Sequence, residues 1–305
     1  MNIPSASPTA TPERVLLRLD WKVIRRLDGL LQGDYRTLFY GFGVDFADLR
    51  EYQAEDDIRY IDWNVTARMD TPYIRQYTED REVSAWFLLD MSPSLDFGTA
   101  QHLSEKRAVL IDFVTVLARL LTRHGNRVGA MMFGNGIQLM VPARGGRLQV
   151  LRLINDMLRQ PRLSHVPVTD LKVFLKGALN SIRRRSLIFV ISDFISTPGW
   201  ESPLSLLNQR HEVIAIRLHD PAEIDLPDVG IMVMEDAETG EQLYVDTHDK
   251  KFRAHFQSAM QLREAELKQS FKRAGVDMLS LSTGDDMVRS IVRFAQQRQQ
   301  LRRMH

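Results

Sequence analysis

An aspartate and two serines, Asp90, Ser92 and Ser94, occupy alternate positions in the stretch Ser84 to Gly98, S-A-W-F-L-L-D-M-S-P-S-L-D-F-G. A carboxylate followed by two hydroxyls is an oxygen-only donor set, which suits a hard cation such as Mg²⁺ or Mn²⁺. Two later residues extend it. Thr169 stands at the start of a helical pattern, and Asp193 ends a second apolar run, S-L-I-F-V-I-S from Ser186 to Ser192. Brought together, Asp90, Ser92, Ser94, Thr169 and Asp193 would make an oxygen cage of low negative charge, open to one further acidic ligand. Each residue also has a plainer use. Ser92 and Ser94 could cap the following helix, as could Thr169 with Asp170. The chain has no cysteine, so disulfides, thiolate metal sites and cysteine nucleophiles are absent together.

Hydrophobic patterning supplies the elements that must position these residues. Ala85 to Leu89 is a short apolar run without alternation, as expected of a strand buried on both faces, and Leu187 to Ile191 repeats the pattern. If the two strands are neighbours, Asp90 and Asp193 share the rim at the carboxyl ends of a parallel sheet, where open α/β sheets place their ligands. Further strands are expected at Val128 to Phe133, Ile137 to Val141, Glu212 to Leu218 and Val276 to Leu281, and a hairpin from Ile231 to Glu235 with Gln242 to Val245. Helical spacing appears in Glu13 to Leu31, Leu103 to His124, Leu148 to Leu158, Leu171 to Ile182, Pro203 to Gln209, Lys250 to Ala274 and Met287 to Ala295. Gly134-Asn135-Gly136 is a hairpin turn signal. Arg144-Gly145-Gly146-Arg147 reads as a strand-to-helix loop rather than a phosphate cradle. From Ser84 onward strands and helices alternate, which predicts a mostly parallel sheet with helices on both faces. The expected organisation is a flexible N-terminus over 1–12, an extension over 13–83, an α/β domain over 84–295 and a fraying Arg/Gln-rich tail over 296–305.

The extension contains a block dense in charge and aromatic rings. Arg50, Glu51, Asp56, Asp57, Arg59, Asp62 and Arg68 interleave with Tyr52, Tyr60, Ile61 and Trp63. A solvated loop needs few large rings, so a compact network in which Arg and Asp pair over aromatic faces is expected. It could serve as an ion-paired brace or as a recognition surface.

At this point the chain resembles known families. Asp90-Met91-Ser92-Pro93-Ser94, Thr169 and Asp193 are similar to the metal-ion-dependent adhesion site (MIDAS) of von Willebrand factor A domains. The run F-A-D-L-R-E-Y-Q-A-E-D-D-I-R-Y-I-D-W-N-V-T-A-R, then Glu79, then L-L-D-M-S-P-S-L-D-F-G, resembles a bacterial domain-of-unknown-function family, the fifty-eighth, from about Gly33 to Thr283. Glu55-Asp56-Asp57 stands where that family often has Gly-Asp-Asp, and Leu95 where it often has Met. The resemblance implies a von Willebrand factor A-like (Rossmann-like), doubly wound, mostly parallel sheet with helices on both faces, plus an N-terminal helical and irregular extension. It implies Mg²⁺ or Mn²⁺ ligated directly by Ser92, Ser94 and Thr169, with Asp90 and Asp193 acting mostly through water. It also implies a MoxR-type AAA+ ATPase as partner, with the block Arg50, Asp56, Asp57, Arg59, Asp62, Trp63 and Arg68 as the source of partner specificity.

Function classes follow from the same residues. A net charge of +1 gives no basic field for nucleic acid, and Arg183-Arg184-Arg185 reads as a solvated helix end. The start M-N-I-P-S-A-S-P lacks a secretory pattern, no apolar run nears the roughly 20 residues of a membrane span, and a cytoplasmic protein is expected. A metal-dependent hydrolase using Asp90 and Asp193, or the Asp56/Asp57/Asp62 cluster, is the alternative to a binding module. Metal-assisted hydrolysis needs an activated water and usually a positioned base. His102, His124, His165 and His211 show no ligand spacing, and an aspartyl-phosphate enzyme would want a second aspartate where Ser92 stands. The expectation is therefore a non-enzymatic, metal-dependent interaction module.

Overall fold

The computed structural model describes residues 11–27, 48–53, 56–58, 61–69, 71–76, 83–98, 105–163, 169–235 and 240–303. Arg59, His102 and His165, the expected loose residues 1–10, and residues 28–31 of the first expected helix lie outside them.

Near the N-terminus come helix α1 (Pro12–Leu19), an antiparallel pair β1 (Asp48–Glu51) and β2 (Tyr73–Gln76), and between these strands helix α2 (Trp63–Met69). The rest alternates: β3 (Ser84–Asp90), α3 (Lys106–Arg123), β4 (Arg127–Phe133), β5 (Ile137–Arg144), α4 (Arg147–Leu158), α5 (Leu171–Ser181), β6 (Leu187–Ser192), α6 (Glu201–Arg210), β7 (Glu212–His219). A hairpin of β8 (Ile231–Glu235) and β9 (Gln242–Asp246), then α7 (Lys250–Ala274), β10 (Asp277–Ser282) and α8 (Met287–Arg303) complete it.

Six strands form the main sheet in the order β10-β7-β6-β3-β4-β5. All pairs are parallel except β4 with β5, the tight hairpin at Gly134-Asn135-Gly136. This is the doubly wound order with one reversed edge strand, the von Willebrand factor A-like arrangement expected from the sequence. The chain leaves β3 towards β4 on one side and later returns to β6 on the other. The crevice between β3 and β6 is thus the topological switch point, where such sheets bind ligands.

The two apolar runs are apolar because they are covered twice. Ala85, Phe87 and Leu89 face a core built with α1, α3, α4 and α8, while Trp86 and Leu88 face one built with α5, α6 and the end of α7. Phe87 of β3 stacks on Phe189 of β6, with centroids 5.3 Å apart. The N-terminal helix is part of the first core: Val15, Leu16 and Leu19 are buried in it, as are Ile24 and Leu27 beyond. The expected continuous helix is interrupted by a π-turn at Asp20–Ile24. A π-turn rotates the following residues relative to an α-helix, and both Ile24 and Leu27 then meet the core.

The C-terminal end corrects the sequence reading. Residues from Gln296, expected to fray, continue α8 to Arg303. Arg298 is buried, its Nε 2.6 Å from Asp277 and its guanidinium NH2 2.9 Å from Glu212. Two carboxylates on neighbouring strands β10 and β7 hold the helix down where apolar periodicity runs out.

Gly129 sits at the irregularity where β4 pairs with β5. A Cβ there would lie 2.8 Å from the Val141 carbonyl oxygen and 2.9 Å from the Ala143 nitrogen, both backbone atoms. Gly129→Ala should lower stability by about 1–3 kcal/mol, read as a fall in the denaturant midpoint at unchanged m-value; an unchanged midpoint would show that the edge strand yields freely.

Candidate metal centre

The two strand-end aspartates meet because β3 and β6 are paired in parallel, with Leu89 opposite Ile191. Both side chains are buried at the carboxyl ends of their strands. After Asp90 the chain turns through Met91 and Ser92 into a single 3₁₀ turn, Pro93–Asp96. Asp90 Oδ1 accepts from the Ser92 amide (3.0 Å), and Oδ2 accepts from the Ser192 hydroxyl (2.6 Å). Ser92 Oγ and Ser94 Oγ lie 3.1 Å apart. Ser94 also hydrogen-bonds the Asp193 carboxylate. Neither serine caps α3, and the Ser92 side chain does not cap the 3₁₀ turn either. Their capping alternative is therefore not what the structure uses. Asp90, Ser92, Ser94 and Asp193 converge on one buried corner.

Thr169 is drawn to the same rim through the backbone. Its carbonyl accepts from the Thr197 amide (3.1 Å) and the Ser196 hydroxyl (2.9 Å), so the segment after Asp193 is stapled to the start of α5. The cap of α5 is Asp170, whose carboxylate accepts from the Val173 amide. Thr169 itself is buried. Between these contacts Phe194 holds φ 57°, a left-handed conformation unfavourable for an aromatic residue. Its amide donates to Ser192 Oγ, and its ring is clamped by Trp200 and by an edge-on Phe271 with centroids 4.8 Å apart. That packing enforces the turn that aims Asp193 at the site.

Patterning did not foresee the strongest partner of Asp193. Lys106, the first residue of α3, is fully buried, with Nζ 2.8 Å from Asp193 Oδ2 and 2.5 Å from Glu223 Oε1. Its ammonium also lies 5.9 Å from the Phe97 ring centroid. Arg107 follows, its Nε 2.5 Å from Asp96 Oδ1 and its NH2 donating to the Met91 carbonyl (3.1 Å). Cations are disfavoured at a helix N-terminus. Two buried ones there are explained by carboxylates beyond the helix. The Glu105-Lys106-Arg107 charge cluster opening an apolar helix was the available signal; the expected start at Leu103 placed it inside the helix and hid it.

The electrostatics divide the two aspartates. Burial, then the charge of Asp193, push the Asp90 carboxyl up from the ordinary 3.8 to about 6, against hydrogen bonds from Ser192 and Ser92. Burial also acts to raise Asp193, but the Lys106 ammonium beside it holds that carboxyl below the usual carboxylate range. Among the described residues no three His, Asp or Glu side chains are grouped to hold a metal ion. Any cation here would depend on the hydroxyls of Ser92 and Ser94. In donor chemistry the corner fits a hard cation, since carboxylate and hydroxyl oxygens converge there.

The block Arg50 to Arg68 is arranged differently. Asp62 caps α2, its Oδ1 accepting from the Val65 amide (3.3 Å), and Asp56 Oδ2 accepts from the Gln53 amide (2.9 Å). Asp57 and Arg68 are exposed, Arg50 lies on β1 opposite Ile74, and Trp63 is 68% exposed. His124 caps its own helix through the Leu120 carbonyl (2.8 Å).

The raised carboxyl of Asp90 has a definite sign. An acid whose pKa is higher folded than unfolded binds more protons when folded, so stability falls as pH rises from about 4 through about 6. The loss accrues as Asp90 ionises. With chelator present, Asp90→Asn should be more stable relative to wild type at pH 8 than at pH 4.5, by thermal unfolding. A difference independent of pH would contradict the electrostatic assignment. Asp193 acts with the opposite sign and in a separate window, its contribution being lost only as pH falls below the ordinary carboxylate range.

Comparison with known proteins gives relatives at two levels. The uncharacterized protein Rv1480 of Mycobacterium tuberculosis (strain ATCC 25618 / H37Rv) is 37% identical over 283 residues, 93% of this chain and 88% of the relative. The uncharacterized protein MAV169 of Mycobacterium avium is 35% identical over 158 residues, 52% of this chain and 93% of the relative. Among solved structures, an aerotolerance-related membrane protein from Bacteroides fragilis NCTC 9343 aligns with TM-score 0.49 at 14% identity, over 72% of this chain and 99% of that one. The SpRpn10 VWA domain aligns with TM-score 0.37 at 12% identity, over 69% and 94%. Residues 48–266 match the family model described as "Protein of unknown function DUF58". That match spans more than half of the chain, and the chain belongs to the DUF58 family.

Proposed function

We propose that the protein is a non-enzymatic, metal-dependent protein-interaction module. The observation that carries this is the convergence of Asp90, Ser92, Ser94 and Asp193 at the switch point between β3 and β6, with Thr169 stapled to the same rim. Ser92, Ser94 and Thr169 are the direct ligands of this reading, with Asp90 and Asp193 behind them. Bound there, Mg²⁺ or Mn²⁺ would supply a Lewis-acidic coordination position for a carboxylate from a partner. The chain's own part is preorganisation. Ser192 and the Ser92 amide fix the Asp90 carboxylate, and Arg107 fixes the loop by gripping the Met91 carbonyl.

The partner in this reading is a MoxR-type AAA+ ATPase, and the block Arg50 to Arg68 supplies selectivity. That role is supported by exposed apolar side chains within it, Ile58 (64%) and Trp63 (68%), and by Met69 (59%) just beyond it. Aromatic anchors of this kind dominate the energetics of protein interfaces. Asp56 and Asp62 each accept a backbone amide within the block. No described helix is long and apolar enough to cross a membrane.

Immobilised full-length protein should retain a MoxR-type ATPase in Mg²⁺ and lose it on chelation or in Ser92→Ala, which removes one hydroxyl from the corner. Identical retention in all lanes would sink the metal bridge. Trp63→Ala should weaken retention by about tenfold or more while leaving Mn²⁺ binding unchanged. Mg²⁺-dependent phosphoesterase turnover that vanishes in Asp90→Ala would favour the hydrolase instead.

A further inference from the structure

The rim already contains a cation. Lys106 Nζ lies 2.8 Å from Asp193 Oδ2 and 2.5 Å from Glu223 Oε1, with no exposed side-chain surface. Its two anions come from different loops. Asp193 follows β6, and Glu223 ends the 3₁₀ turn Pro221–Glu223 after β7. That second loop is itself rigid. Asp220 and Glu223 form a reciprocal capping box, and Asp220 Oδ2 accepts from the Thr283 hydroxyl (2.7 Å) beyond β10. The root of the lysine is equally fixed, since the Lys106 amide donates to the Phe97 carbonyl (3.0 Å) and α3 begins there. Lys106 therefore joins the ends of β3, β6 and β7.

We propose that Lys106 is a tethered counter-cation that competes with a divalent ion for Asp193 and thereby sets the metal affinity of the rim. This rests on the metal-site reading given above. Two carboxylates, Asp193 and Glu223, hold one ammonium, while the neighbouring Arg107 is engaged by Asp96. Asp193 Oδ1 accepts from the Ile195 amide (3.0 Å) and Oδ2 from Lys106, so each oxygen already has a donor. A second cation at the corner must share Asp193 with Lys106 and is repelled by it at short range in a poorly screened site. Glu223 is the reserve partner that lets the ammonium swing from Asp193 without being stranded as a buried lone charge. Lys106 engages Asp193, and a divalent ion bound at the corner would take that carboxylate at the expense of the contact.

The test is Mn²⁺ titration of the full chain, followed by the paramagnetic resonance of free Mn²⁺ and by calorimetry, on wild type, Lys106→Gln and Glu223→Gln. Lys106→Gln should bind Mn²⁺ roughly tenfold or more tightly than wild type. In chelator it should melt lower, and saturating Mn²⁺ should raise its Tm by more than it raises that of wild type. A merely structural lysine would give equal or weaker Mn²⁺ binding on removal, and that result overturns the proposal while leaving the metal site standing. Should Lys106→Gln fail to fold, Glu223→Gln reads the coupling from the other side. Deprived of its reserve partner, the ammonium stays on Asp193 and Mn²⁺ binding weakens several-fold; unchanged affinity overturns the proposal. No Mn²⁺ binding by wild type or by Lys106→Gln overturns both the competition and the metal site.

Discussion

Two like charges buried side by side are the constraint to which the rest of this molecule answers. Parallel pairing of β3 with β6 delivers Asp90 and Asp193 to one desolvated corner. Neither carboxylate has bulk water to screen it. A pair of this kind separates into one group that resists ionisation and one that is held ionised. Asp90 takes the first part, with its carboxyl raised to about 6, and Asp193 the second, against Lys106. The difference is set by which of the two an ammonium can reach.

Much of the surrounding architecture follows from reaching it. Lys106 and Arg107 open α3, the end of a helix where cations are least welcome. They stay because Asp193 and Glu223 receive one and Asp96 the other. Arg107 also takes the Met91 carbonyl, which fixes the turn carrying Ser92 and Ser94. On the other side, the strained backbone at Phe194 is kept in place by Trp200 and Phe271, an aromatic cluster in the second core. The apolar layers do more than fill space. They hold the two loops at a separation that their electrostatics alone would not favour.

How much of this was legible in the sequence depends on whether a residue's role is local. Ala85 to Leu89 and Leu187 to Ile191 announce themselves as doubly covered strands, because burial on both faces leaves no polar position. The aspartate ending each run was visible for the same reason. That β3 and β6 are neighbours stayed a condition in the sequence, because alternation of elements does not fix strand order, and the sheet order supplies it. Lys106 was not legible, because a lysine reads as solvent-facing unless its partners are known, and Asp193 and Glu223 lie 87 and 117 positions away. Arg298 escaped for the same reason: its partners sit on β7 and β10, so a polar Arg/Gln-rich segment was taken for a fraying end. The π-turn at Asp20–Ile24 leaves no mark in apolar periodicity that distinguishes it from a regular helix.

The site and the block Arg50 to Arg68 differ in kind, and that difference suits separate tasks. The corner between β3 and β6 is built of buried charges and hydroxyls. A contact made there alone would be ionic, small in area and sensitive to what neutralises the corner, which makes it a good switch and a poor anchor. The block has the reverse composition. Asp56 and Asp62 each accept a backbone amide, while Ile58, Trp63 and, just beyond the block, Met69 stand in solvent. Apolar area of that kind contributes affinity at any ionic strength but carries no on–off control. A partner that engages both would take its affinity from Trp63 and its apolar neighbours and its timing from the charges, with Lys106 deciding how readily the charged half is available.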